Sequence, residues 1–201
     1  MPSMTPQEMT AGQVAKAVSN YRTMLEKHGP DFPSDAVQAV LGDPGFAEAQ
    51  LQLLRARVEM RTGILTRDVV IDLSLVGMQA INATGRKQYA NKAVVATMPH
   101  AQNTQAKIHF FNGGRYLPVG EVQAEVEKRG FKSLVDPHTL AAFNTANPEF
   151  ADTHPNCTQW VGVDGKFCYE AVDRWNDERD VSVSRHDVAW DGSWWFAALG
   201  E

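Results

Sequence analysis

The sequence has only two cysteines, Cys157 and Cys168, among 201 residues. That is too few for a disulfide scaffold, and a chain of this length buries enough surface not to need one. No apolar run approaches the roughly eighteen residues of a membrane span. The start, Met1-Pro2-Ser3-Met4-Thr5-Pro6-Gln7-Glu8, has neither the basic end nor the apolar run of a secretory signal. The expectation is a chain with no signal peptide and no membrane span, kept in the cytoplasm or built into a particle assembled there. A phosphate loop is also missing, because Gly113-Gly114 has no Lys-Ser or Lys-Thr behind it. Ser184, His186 and Asp187 lie close together but lack a nucleophile elbow, and Ser184 and His186 as i,i+2 strand neighbours are not an arranged nucleophile and base. No catalytic residue is assigned.

What is present suits a soluble globular chain, with 43% hydrophobic and 21% charged residues. The net charge of −5 is uneven: residues 1–63 carry −1, residues 64–135 carry +4 and residues 136–201 carry −8. An acidic C-terminal third repels a phosphate backbone, so general nucleic-acid binding is not expected.

Residues 1–63 read as a helical segment of about three helices. Thr10-Ala11-Gly12-Gln13 fits a capping box, Val14, Val18, Tyr21 and Leu25 keep one face at 4-3-4 spacing, and His28-Gly29-Pro30 ends the run. Ser34 can cap a short helix carrying Val37, Val40 and Leu41, which Gly42 stops. Asp43-Pro44 starts a third helix on which Ala47, Leu51, Leu54 and Val58 repeat the stripe, and Gly63 closes it. Phe46, Leu53 and Met60 lie off that stripe. This is more apolar surface than one buried face needs, so the helix sits inside the core or docks a partner helix or second subunit.

Residues 64–201 read as a mixed α/β unit. Thr66 to Leu73 is β-branched and strand-like, Ser74 can cap a helix to about Thr84, and Ile108 to Leu117 with Asn112-Gly113-Gly114 in the middle reads as a hairpin. Helices follow at about Gly120 to Arg129, with a Glu125–Arg129 pair, and after Asp136-Pro137. The last 42 residues hold all five tryptophans, and about 158–198 reads as an antiparallel meander with turns at Val163 to Lys166, Asn176 to Arg179 and Asp191-Gly192. Adjacent Trp194 and Trp195 must face opposite sides of their strand. The fold class expected is α+β: a helical N-terminal segment, then a mixed unit ending in that meander.

The pieces Ala83-Thr84-Gly85-Arg86-Lys87-Gln88-Tyr89, Val94 to Pro99 and Trp175…Val181-Ser182-Val183…Arg185…Asp187…Trp190…Trp194-Trp195-Phe196-Ala197 resemble a set of uncharacterised bacterial proteins. The likeness covers roughly residues 64–201 and implies a shared fold unit, with no activity attached.

Three sites compete in the C-terminal third. His154, Cys157, Cys168 and His186 are zinc-type ligands, though Cys168 and His186 stand far apart without close partners, and buried cysteines are ordinary packing residues. Trp175-Asn176-Asp177 resembles the Trp-Asn-Asp element of C-type lectins, which implies calcium and sugar at Asn176, Asp177 and Asp180. The companion Glu-Pro-Asn or Gln-Pro-Asp element and the paired disulfides of that family are absent, and a solvated acidic turn serves equally well. Finally, Arg179, Arg185, Trp190, Trp194 and Trp195 are the residue types that anchor protein interfaces, and the same tryptophans can fill a thin core. The leading expectation is a non-enzymatic interaction or assembly protein of bacterial or phage type without a cofactor. Calcium-dependent carbohydrate binding is the alternative.

Overall fold

The computed structural model describes residues 9–200; residues 1–8, which were read for leader features, lie outside them. The chain divides into two compact units, one ending at Thr62 and the other beginning at Gly63.

The first unit is helical: α1 (Ala11–His28), α2 (Ser34–Leu41) and α3 (Pro44–Thr62). Thr10 and Gln13 form the reciprocal capping box, and the Asp43 carboxylate accepts from the Gly45 amide at 2.8 Å at the head of α3. Pro33 rather than Ser34 is the N-cap of α2. No residue of the three helices is buried.

The second unit is built on one mixed sheet. Its strands are β1 (Ile64–Val70), β2 (Lys87–Ala90), β3 (Gln105–Asn112), β4 (Leu117–Pro118), β5 (Ser133–Leu134), β6 (Asn156–Val161), β7 (Phe167–Trp175), β8 (Glu178–Arg185), β9 (Ala189–Trp190) and β10 (Trp195–Leu199). The helices between them are α4 (Met78–Ala83), α5 (Lys92–Val95), α6 (Val122–Lys128), α7 (Pro137–Ala146) and α8 (Phe150–Thr153). The order across the sheet is β1-β3-β10-β6-β7-β8-β2, with β5 beside the far end of β10 and a separate β4–β9 ribbon. β10 runs parallel to β6 and β2 parallel to β8, and the other pairings are antiparallel. The fold is α+β.

β3 explains most of this order. Ile108, His109, Phe110 and Phe111 are all buried, so both faces of the strand are covered. On one face Phe110 packs with Leu140, Phe143 and Ala197 beneath α7, and the Val181–Val183 stretch of β8 meets α4 and α5. On the other, Phe111 joins Val122, Val126, Phe131 and Trp190 under α6.

Three local expectations change. Residues 108–117 do not form a hairpin, because both edges of β3 are already paired, with β1 and β10. Instead, Asn112 Oδ1 accepts from the Gly114 amide at 2.6 Å, Gly114 takes a positive φ of 66°, and the chain leaves the sheet to pair β4 with β9. The meander holds through β6, β7 and β8 and then ends, as β10 crosses back to lie between β3 and β6. The helix expected from Ser74 shrinks to Met78–Ala83, because Asp72 Oδ1 takes the Ser74 amide and hydroxyl in a turn.

The sheet interior holds polar groups of two kinds. Asn144 of α7 and Asn156 of β6 are fully buried and exchange side-chain amide bonds at 2.8 and 3.3 Å, so they are satisfied. Glu170 of β7, paired with Thr158 and Val183, is fully buried, and neither carboxyl oxygen has a hydrogen-bond partner. Burial, with the Asp136 charge adding to it, holds its pKa well above the usual carboxylate range, so the folded chain keeps a proton that the unfolded chain releases. Below that range both states are protonated and Glu170 is silent. As pH rises above it, the unfolded state ionises first and folding loses stability until Glu170 itself titrates. Thermal melts of Glu170→Gln should match the natural chain near pH ~4 and lie several degrees above it near pH ~7 to ~8. Parallel melting curves across that range would contradict the assignment.

Candidate functional site

The tryptophan-rich end does not make a single surface. Trp190 is 3% exposed and donates from its indole Nε1 to Gln159 Oε1 at 2.9 Å. Around it lie Tyr169, His186, Trp194 and Phe196 at ring distances of 5.6, 4.4, 5.3 and 5.9 Å. Trp194 packs on this cluster, while Trp195 packs with Leu140 and Phe143 on the other face, with its ring 5.0 Å from that of His154. Trp175, at the end of β7, is the exposed tryptophan, at 68%.

The two arginines grouped with the tryptophans lie elsewhere and are ion-paired. Arg179 forms a two-point bridge to Asp152 of α8, at 2.9 and 2.5 Å, and that bond is the main reason the Asp152 pKa is lowered. Arg185 reaches Asp164 at 2.7 Å across the β6–β7 turn and lies 3.1 Å from Cys168 Sγ.

Asn176 and Asp177 have φ of 48° and 65° and are the two central residues of the β7–β8 hairpin, between paired Trp175 and Glu178. Positive φ at both positions is the requirement of a type I′ turn, and Asn and Asp tolerate it best after glycine. Backbone geometry therefore accounts for this Trp-Asn-Asp sequence. The Asp177 side chain is 96% exposed and bonded to Arg174 at 3.2 Å, whereas Asp180 is 8% exposed and lies on the sheet across from Asp173. The structure does not gather Asn176, Asp177 and Asp180 around one water-facing point.

The four zinc-type residues are also dispersed. Cys157 belongs to the core under α6 and Cys168 to the core under α4 and α5, on opposite faces of the sheet. His154 stacks on Phe150 at 4.9 Å, and His186 lies against Tyr169 and Trp190. Burial raises the Cys157 pKa well above the ordinary thiol value and lowers that of His186, so the first is a packed thiol and the second a neutral ring. Among the described residues no three His, Cys, Asp or Glu side chains converge as metal donors.

The basic pair Arg86-Lys87 has an architectural role. Arg86 is buried and donates to the carbonyls of Asp173 and Pro148 at 2.9 and 2.7 Å, tying the α4–β2 connection to the end of β7. Lys87 pairs with Glu178. Together with Arg174, Asp177 and Arg179 they line an open cleft of about 430 Å³ whose cations already face carboxylates. A second hollow of about 160 Å³, between Val70, Ala80, Ala142 and His138, falls below the ~300 Å³ at which small-molecule sites begin.

The unfilled requirement lies in the helical unit. Val18, Tyr21, Leu25, Leu41, Leu51 and Val58 are all exposed, as are Leu53 at 69% and Met60 at 76%. A bond of 2.6 Å from Gln50 Nε2 to the Tyr21 hydroxyl joins α1 to α3 without closing a core. Sequence reading identified one apolar stripe of α3 and the apolar residues off it, but their exposure is visible only in three dimensions.

No protein-family model, curated protein or solved structure matches this chain. No helix among the described residues is long and apolar enough to cross a membrane.

Trp190→Ala should cost about 3–5 kcal/mol in urea unfolding, the range for emptying a buried aromatic site. Trp175→Ala should stay within about 0.5 kcal/mol, as exposed positions do. Equal effects of the two substitutions would mean that Trp190 is not the centre of this packing.

Proposed function

We propose that this chain is a non-enzymatic interaction or assembly protein, of bacterial or phage type, whose helical unit docks a protein partner while the aromatic sheet packs its own unit. The observation that carries this reading is the absence of any buried residue in α1, α2 or α3. Helices of this length draw most of their stability from packing an apolar face, so a capped and striped set with open faces is built to be covered. The α+β unit supports the same reading from the other side. Apart from the exposed Trp175, its tryptophans pack within it, as do Cys157 and Cys168, and Arg179 and Arg185 are ion-paired.

Size-exclusion chromatography with light scattering should show a mass above the 22.2 kDa of one chain, either alone or in complex with a protein captured from a lysate. A chain that stays monomeric at every concentration and retains nothing from a lysate would overturn this reading.

A further inference from the structure

The most exposed large apolar side chains of the helical unit, Leu53 and Met60, belong to a longer series on α3. Phe46, Ala49, Leu53, Ala56 and Met60 recur at 3-4-3-4 spacing, which keeps them on one side of a helix. The stripe of Ala47, Leu51, Leu54 and Val58 lies on roughly the opposite side at 100° per residue. α3 is thus apolar along two seams. The Gln50–Tyr21 bond links the helix to α1 of its own unit.

The outer seam is complementary to itself in one orientation. Its large residues, Phe46, Leu53 and Met60, alternate with the small Ala49 and Ala56. When two copies of such a seam run antiparallel about an axis between Leu54 and Arg55, Leu53 seats over Ala56 and Met60 over Ala49 of the other copy, so large and small residues interdigitate. A parallel pairing stacks large on large and alanine on alanine, leaving gaps. Charge selects the same orientation. Residues 43–52 carry Asp43 and Glu48 and no base, a net −2, while residues 53–62 carry Arg55, Arg57 and Arg61 against Glu59, a net +2. Antiparallel copies set each acidic half against a basic half, whereas parallel copies set like on like.

Resting on the assembly reading above, we infer that the occupant of this seam is a second copy of the same chain, paired antiparallel through α3 about a two-fold axis between Leu54 and Arg55. Such a contact is isologous and closes on itself, so it yields a dimer and not a filament. One helix seam covers only about half of the ~800 Å² per partner of a standard interface, so the dimer is concentration-dependent.

Sedimentation of the full chain from about 1 to about 300 µM should show the mass rising from 22.2 kDa toward twice that value. Leu53→Lys, at an exposed position, should weaken the dimer at least ~10-fold, equivalent to about 1.4 kcal/mol, whereas Leu53→Met should leave it intact. Spin labels settle the orientation. Labels at Gln52→Cys should lie close together across the dimer, and labels at Arg61→Cys on the order of 20 Å apart along the helix axis at 1.5 Å per helical residue. A dimer indifferent to Leu53→Lys, or one with close Arg61 labels, overturns the inference and leaves the assembly reading standing. A chain that remains monomeric at the highest concentration also overturns it, and the assembly reading is then decided separately by whether a heterologous complex forms.

Discussion

β3 has no free edge, and most of the α+β unit follows from that constraint. β1 pairs with residues 105–111 on one side and β10 with residues 108–112 on the other, so Ile108 to Phe111 are paired at both edges and dry on both faces. The chain that follows cannot fold back as a hairpin, so it turns at Asn112 to Gly114 and pairs β4 with β9 outside the main sheet. That detour places Trp190 over Phe196 beneath α6 and accounts for the end of the meander at β8. β10 fills the sheet between strands distant from it in sequence, and topologies rich in such non-local pairings fold more slowly than local ones.

The two units handle burial in opposite ways. The α+β unit encloses apolar clusters on both sides of its sheet and admits polar groups where they are bonded, as in the Asn144–Asn156 pair and the Arg86 contacts to backbone carbonyls. Glu170, with neither carboxyl oxygen bonded, stays tolerable only as a neutral acid. The helical unit encloses nothing, although its caps and stripes are well formed. Local order and burial are separable, and here the first is complete in a segment where the second is not.

Much of this was legible in the residues themselves. Caps at Thr10, Asp43 and Asp136, the Glu125–Arg129 pair, the opposed faces of Trp194 and Trp195 and the α+β class all rest on short-range rules, and the structure keeps them. Less legible was anything decided by competition between distant strands. Asn112-Gly113-Gly114 has the composition of a hairpin turn, and nothing nearby in sequence announces that β10 will claim the adjacent edge. The same limit applies to sites. Trp175-Asn176-Asp177 looks like ligand chemistry until the two positive φ angles show a turn, and four zinc-type residues look like a set until the sheet separates their faces. Arg86 is a buried clamp between segments far apart in sequence, which nothing in its neighbours announces.

The sheet ends in β1 on one side and β2 on the other. β2 is four residues long, parallel to its neighbour, and begins with an ion-paired lysine; β1 carries Arg67 and Asp68 at its middle. Short or charged borders are poor templates for strand addition, because an incoming strand would have to desolvate those charges to complete its ladder. Both borders of the sheet are therefore poor sites for amyloid-like strand addition.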